Sequence, residues 1–460
     1  MAMALDPSIF KAYDIRGIVD KTLTEDAVEI IGRAFGSEAQ KRGEKHIFVG
    51  RDGRLSGPKL SAALIRGLCQ SGCDVTDVGM VPTPVLYYAA YQIGSGSGIM
   101  VTGSHNPPDY NGLKMVIGGV TLSGPEIQGL RQRIEAEDFS EGSGSSKTLD
   151  MVDDYIKRIV DDVKLSRRMK VIVDCGNGVP GAVAPTLLEK LGCQIKPMFC
   201  EVDGNFPNHH PDPSQLENLE DIKAELAKGD ADIGLAFDGD GDRLGVITPQ
   251  GEVIWPDRQM MLYARDILAR NPGAEIVFDI KCTVHLAEII KAAGGKPTMW
   301  KTGHSFIKAK LKESGALLGG EMSGHIFFKE RWYGFDDALY TAARLLEILS
   351  KDSRPVSEIF AELPNSVNTP EIKFNMAEGE HYALIDKLVA NANFSNARLT
   401  TIDGVRADFD DGFGLVRASN TTPCLVFRFE GNSQAALDKI MGEFRDLLRS
   451  QVGPDVKIPF

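Results

Sequence analysis

The chain has no long apolar run. A long stretch without a charged residue, Gly79 to Ser104, is broken by Pro82, Pro84, Gly94, Gly96 and Gly98, so a membrane helix of about 20 apolar residues is excluded there. Positive charge is scarce too, with 51 Lys and Arg against 64 Asp and Glu and a net charge of -13. No nucleic-acid partner is expected, because phosphate-backbone affinity comes from clustered cations. Any anionic small molecule would need the few cations gathered in one place. The seven cysteines, at 69, 73, 175, 193, 200, 282 and 424, form no Cys-x-x-Cys pair, which fits reduced thiols rather than a disulfide framework or a zinc site. Met1 to Phe10 lacks a basic segment followed by an apolar one, so no secretory leader is expected and the cytoplasm is the default location.

What is present is the composition of a large globular protein. At 460 residues, 43% apolar and 25% charged, and with roughly 150 residues per domain, the chain divides into about three domains, with four permitted. Three segments, Lys45–Pro84, Met169–Pro207 and Ala274–Ser305, share one order: a β-branched run, a polar turn, a helix closed by glycine, and a second run. Each reads as a βαβ unit whose first strand, IFVGRDGR, VIVDCGNG or IVFDIKCT, delivers polar groups at its C-terminal end. The Gly/Ser-rich DFSEGSGSSKTL at 138–149 reads as a junction, and further breaks are expected near Gln250-Gly251 and around Leu363-Pro364-Asn365. The expected domains are therefore 1–149, 150–251, 252–364 and 365–460. The last mixes strand-like TPEIKFNM, LTTIDGVRADF, GFGLVRAS and CLVFRFEG with the helical AALDKIMGEFRDLLRSQ, so three α/β domains precede a smaller α+β domain.

Four loops carry candidate chemistry. In Thr102-Gly103-Ser104-His105-Asn106-Pro107 the following Pro-Pro forbids helix and central strand, so Ser104 is displayed on a loop. Phe237-Asp238-Gly239-Asp240-Gly241-Asp242-Arg243 alternates three carboxylates with glycine, and an extended backbone would turn all three to one side. That arrangement suits a hard cation. An EF-hand would need glycine and glutamate where Arg243 and Pro249 stand, so Mg²⁺ is favoured over calcium, with coordination positions left for water or phosphate. Gly320-Glu321-Met322-Ser323-Gly324-His325 places a carboxylate, a hydroxyl and an imidazole at alternate positions, a pattern that in extended form can read sugar hydroxyls and move a proton. Arg417-Ala418-Ser419-Asn420-Thr421 joins a planar donor fork to short hydroxyl donors, as an anion-binding loop requires. Gly176-Asn177-Gly178-Val179-Pro180-Gly181, with Glu201 twenty residues on, satisfies a dinucleotide fingerprint on paper, and an NAD-dependent oxidoreductase is the competing class.

Together and in this order, these loops resemble those of the α-D-phosphohexomutase superfamily over essentially the whole chain, and Lys11-Ala12-Tyr13-Asp14-Ile15-Arg16-Gly17 resembles its opening motif. The resemblance implies a phosphate carried on Ser104, Mg²⁺ held by Ser104 and Asp238, Asp240 and Asp242, sugar read by Glu321 and Ser323, and the remote phosphate gripped by Arg417, Ser419, Asn420 and Thr421. Arg16, Lys114 and Arg243 would supply cations, Tyr13 an active-site contact, and His325 or His105 proton transfer, with Lys114 an alternative. Lys281, Gly303, His304 and Arg258 are expected to line the cleft. Glu321-Met322-Ser323 is similar to the subgroup acting on both mannose and glucose phosphates through a hexose 1,6-bisphosphate. Phosphoglucosamine mutase is the alternative within the superfamily, and a non-catalytic sugar-phosphate binder the alternative outside catalysis. Oligomeric state is left open.

Overall fold

The structure is a computed structural model and describes residues 5–94, 96–377, 379–420, 422–453 and 456–460. The described residues form four sheets. The first contains β1 (Ile15–Ile18), β2 (His46–Arg51), β3 (Asp74–Met80), β4 (Gly98–Val101), β5 (Tyr110–Ile117), β6 (Val120–Thr121) and β7 (Ser146–Thr148). The second is built from β8 (Lys170–Asp174), β9 (Gln194–Met198), β10 (Ile233–Phe237), β11 (Leu244–Ile247) and β12 (Val253–Ile254), so it runs past the break expected at 251. The third holds β13 (Glu275–Asp279), β14 (Lys296–Trp300), β15 (Leu318–Gly320) and β16 (Ile326–Phe328). The fourth, antiparallel throughout, holds β17 (Val367–Asn368), β18 (Ile372–Asn375), β19 (Arg398–Thr400), β20 (Val405–Phe409), β21 (Gly412–Ala418) and β22 (Cys424–Gly431).

The three expected βαβ units are present as the parallel pairs β2/β3, β8/β9 and β13/β14. Their helices, Gly57–Gln70, Ala184–Lys190 and Val284–Ala292, are followed by Gly72, Gly192 and Gly294, all at positive φ, a conformation glycine enters without a Cβ penalty. Each sheet then repeats one more step. A third strand (β4, β10, β15) joins parallel to the first strand of the unit, and a hairpin returns it as an antiparallel neighbour (β5, β11, β16). The Ser104, Asp238–Asp242 and Glu321–His325 loops are those three hairpins, and the Arg417 loop is the β21–β22 hairpin of the fourth sheet.

One apolar core runs through the first three units, from Phe48 and Leu86 through Leu187 and Phe237 to Phe278, Leu346 and Phe360. Shared burial on this scale favours their acting as one body. The fourth unit has its own core, including Leu388, Phe427, Phe429 and Phe444. It meets the third at Ile280, Phe413 and Leu415. There, buried Arg406 donates to the carbonyls of Ile280 (2.5 Å) and Cys282 (2.7 Å) with its guanidinium 3.7 Å from the Phe413 ring centroid. The helix Glu380–Asn391 on this unit is an element sequence patterning did not anticipate.

In the first unit the helices Glu25–Lys41 and Gly57–Gln70 pack so closely that a Cβ on Gly67 would lie 2.0 Å from the Glu29 carbonyl oxygen. Gly67→Ala gains about 1 kcal/mol of helix propensity but meets immovable backbone, an overpacking cost of about 1–3 kcal/mol or more. A lowered urea midpoint is expected. A raised one would mean the two helices separate freely.

Candidate active site

The Ser104 loop is held from below by the end of β2. Asp52 Oδ2 accepts from Thr102 Oγ1 (2.8 Å) and Gly103 N (3.0 Å), while Arg54 donates to the carbonyls of Ser104 (3.0 Å), Asn106 and Tyr110 (3.0 Å). Ser104 sits at φ 49°, a left-handed conformation uncommon for a residue with a side chain, and its N–H is tied to Thr102 Oγ1 at 2.8 Å. This fixes Ser104 Oγ 3.2 Å from Asp238 Oδ2, 3.2 Å from His105 Nδ1 and 3.5 Å from Arg243 Nη2. Asp52 and Arg54 were not singled out in the sequence, although the polar end of IFVGRDGR was the signal for them.

The three aspartates converge, but not by strand alternation. Residues 238–243 form a tight turn in which Asp238 Oδ1 accepts the N–H groups of Gly241 (3.0 Å), Asp242 (3.1 Å) and Arg243 (3.1 Å), with Gly241 at φ 79°. The turn, rather than an extended backbone, brings one oxygen of each carboxylate within 4.8 Å of the others. All three are buried. Burial, with Asp242 and Asp240 beside it, pushes the Asp238 carboxyl up to about 7. Lys114 Nζ, reaching across from β5, lies 2.7 Å from Asp240 Oδ2 and 2.5 Å from Asp242 Oδ2. Although burial works against a charged amine, these two carboxylates drive the Lys114 pKa well up, and the ammonium stands where positive charge is demanded. Asp240 Oδ1 and Asp242 Oδ1 are buried without a hydrogen-bond partner. An all-oxygen set with orphaned lone pairs fits a hard divalent ion.

The third hairpin docks on the second through a backbone bridge between Arg243 and His325. It too is a tight turn, with Glu321 N donating to the His325 carbonyl (2.9 Å), so Glu321, Ser323 and His325 are not displayed along one strand face as anticipated. Glu321 is buried and accepts from Gly303 N at 2.5 Å, and burial pushes its carboxyl up to about 7. Tyr13 packs edge-on to His304 with centroids 5.1 Å apart, beside Gly303. Arg16 bonds Asp14 (2.6 Å) and Asn106 Oδ1 (3.0 Å), which places it on the Ser104 loop. Lys281 pairs with Glu371 (2.7 Å) from the fourth unit. Arg417 Nε bonds Asp403 Oδ2 (2.9 Å), an oxygen that also accepts from Thr302 N (3.0 Å), and Arg417 Nη2 is buried with no partner. Ser419 and Asn420 stand beside it on the hairpin, whereas Thr421 lies outside the described residues.

Arg258 is a correction. It starts the helix Pro256–Arg270 and is consumed by Glu252 (2.6 Å) and the Phe360 carbonyl (3.0 Å), bracing the second unit against the third instead of lining a cleft. The dinucleotide-like glycines are also accounted for. A Cβ at Gly178 would meet Gly239 at 2.9 Å and one at Gly181 would meet the Cys200 carbonyl at 2.0 Å, so they permit close packing rather than an open pyrophosphate cradle.

Family profiles match the chain four times in succession. They describe phosphoglucomutase/phosphomannomutase alpha/beta/alpha domain I over residues 7–141, domain II over 153–251, domain III over 255–367 and the C-terminal domain over 371–447. The chain belongs to the phosphoglucomutase/phosphomannomutase family. A phosphomannomutase/phosphoglucomutase of Pseudomonas aeruginosa is 56% identical over 459 residues, covering 100% of this chain and 99% of that protein. A phosphoglucomutase of Neisseria gonorrhoeae is 56% identical over 96% of this chain and 97% of its own. A solved phosphoglucomutase/phosphomannomutase family structure from Burkholderia thailandensis superposes with a TM-score of 0.95 at 54% identity, covering 99% of this chain and 100% of the other. Among the described residues no helix is long and apolar enough to cross a membrane.

In this family member a Cβ on Gly239 would lie 2.3 Å from the Ser104 carbonyl oxygen, so Gly239→Ala must push the serine and aspartate loops apart. Mutase turnover is expected to fall at least about tenfold, since even small misplacement at a reacting centre is costly. Unchanged turnover in a folded variant would show that this loop contact is dispensable.

Proposed function

We propose that the chain interconverts hexose 1-phosphate and hexose 6-phosphate by passing a phosphoryl group through Ser104, with Mg²⁺ held by Asp238, Asp240 and Asp242. The observation that supports it best is the 3.2 Å approach of Ser104 Oγ to Asp238 Oδ2 between Arg243 and Lys114, where a negative phosphoryl group would be met by fixed positive charge. A bound Mg²⁺ supplies further neutralisation of that group. Ser104 gives its phosphoryl to a free sugar hydroxyl: the Ser104 Oγ–P bond breaks, a sugar O–P bond forms, and the hydroxyl proton leaves to a base. The product is a hexose 1,6-bisphosphate, which turns round and returns its other phosphate to Ser104.

The proton work divides by electrostatics. Burial, then Arg243, Arg16 and Lys114, hold His105 well below the usual imidazole range, so it stays neutral and, as a weak base, carries no extra proton at rest. Burial opposes a charge on His325, yet Asp242 and Asp336 outweigh it and raise its pKa, so it can donate one. Lys114, locked between carboxylates, serves as a counter-cation. Glu321 and Ser323 read sugar hydroxyls, with Tyr13, Lys281, Gly303 and His304 around them. Arg417, Ser419, Asn420 and Thr421 grip the phosphate that is not being transferred. The units 1–149, 150–251, 252–364 and 365–460 thus each lend one hairpin to a shared site.

The direct test supplies Mg²⁺, glucose 1-phosphate and a trace of glucose 1,6-bisphosphate and looks for glucose 6-phosphate, with mannose and glucosamine phosphates alongside to set sugar preference. Net release of inorganic phosphate instead would identify a phosphatase. Ser104→Ala is expected to abolish nearly all turnover while sugar-phosphate binding remains measurable, and full activity would discard the nucleophile. Arg417→Ala removes a charged contact worth about 1.5–3 kcal/mol, so KM is expected to rise about ten- to a hundredfold with kcat little changed. A fall confined to kcat would contradict the clamp.

A further inference from the structure

Beside the all-oxygen triad, a second set of donor atoms converges between the second and third units. Asp242 turns Oδ2 to Lys114, but its Oδ1 faces the other way, 3.5 Å from His325 Nδ1. That nitrogen is 3.1 Å from Asp336 Oδ2, which in turn is 3.9 Å from His304 Nδ1. All four atoms are buried and none has a hydrogen-bond partner, the His325–Asp336 approach being close in distance without hydrogen-bond geometry. Orphaned buried polar atoms cost about 1–3 kcal/mol each, so the three on Asp242, His325 and Asp336, which lie within 4.8 Å of one another, call for an occupant.

The geometry points to a metal. A tetrahedral ion with bonds of about 2.0–2.2 Å sets its ligand atoms about 3.3–3.6 Å apart. The 3.1 Å separation falls just below that range and the 3.5 Å one within it, and the donor atoms of Asp242, His325 and Asp336 all lie within 4.8 Å of one another. The ligands also stand on well-held elements: His325 is bridged to Arg243 and Asp336 to Phe327. The outer oxygen of Asp336 is already used by Lys308 at 3.0 Å, leaving Oδ2 alone to face the imidazoles. One imidazole with two carboxylates and an open fourth position suits a zinc-class ion, whereas Mg²⁺ prefers oxygen alone and keeps several waters.

We propose that Asp242, His325 and Asp336 form a second metal site, selective for a zinc-class divalent transition ion and sharing Asp242 with the oxygen triad. Occupancy there withdraws His325 and one Asp242 oxygen from catalysis, so the ion acts as an inhibitor. That consequence rests on the mutase reading; the site itself does not.

Co²⁺ is the probe, titrated into the full chain in excess Mg²⁺ without substrate. One equivalent is expected to bind with the strong visible absorption of a four-coordinate ion. Asp336→Asn and, separately, His325→Leu should each weaken that binding at least about tenfold, while Asp240→Asn, which lies outside this donor set, should keep the band. His325→Leu leaves the Lys308–Asp336 ion pair in place, so it still tests the site should Asp336→Asn fold poorly. Absence of the four-coordinate band in Mg²⁺, or a band that both ligand variants leave intact, overturns the site. Full turnover with the band saturated would overturn the inhibition and leave the site standing.

Discussion

Three carboxylates forced into one dry turn are the constraint around which this protein is arranged. Like charges at about 4 Å repel by roughly 4 kcal/mol even at an effective dielectric of 20, so residues 238–242 cannot stay buried and ionised without cations. Lys114 comes from the first unit and Arg243 from the turn itself, and together they offset two of its three charges. Their placement also draws in the Ser104 loop, whose hydroxyl lies within reach of Asp238 and Arg243. A chain with net charge -13 thus answers the need for local positive charge by concentrating a few cations where its own acids are densest.

The repeated topology explains how distant loops arrive at one place. In each α/β unit the third parallel strand turns back through a hairpin, and in each unit that hairpin carries chemistry: Ser104, the aspartates, or Glu321 with His325. The units differ in their turns while the strands keep the same pairing, in keeping with function residing on loops over a rigid scaffold. The fourth unit contributes the β21–β22 hairpin from a different architecture and is joined to the third mostly by polar ties. Arg406 grips two carbonyls, Arg428 pairs with Asp257 at 3.3 Å, and Lys281 pairs with Glu371. Ties of this kind, with a small apolar contact, hold a domain in place at less cost to movement than the continuous core of the first three.

Close approach without side chains is the second structural theme. Gly239 against the Ser104 carbonyl, Gly178 against Gly239 and Gly303 against Phe306 all occupy points where a Cβ would collide. The glycines between the aspartates therefore serve inter-loop packing as much as the bend around an ion. The same applies to the fingerprint at 176–181, whose spacing suggested a nucleotide.

Local rules were enough to read the three βαβ units, their glycine-closed helices, the mixed tail and the four loops, because strand alternation, helical period and positive-φ glycines are set by neighbours a few residues away. They misjudged the form of two loops, treating Asp238–Asp242 and Glu321–His325 as extended when backbone hydrogen bonds curl both into turns. Tertiary structure alone decided which charges meet. Arg258 sits as temptingly in the chain as Arg243, yet one is consumed by Glu252 and the other faces Ser104. Asp336, invisible in any motif, ends up against His325. Which charges pair has no signature in local order, whether the partners stand 6 residues apart, as Arg258 and Glu252 do, or 126, as Lys114 and Asp240 do, since it depends on where the folded elements come to rest.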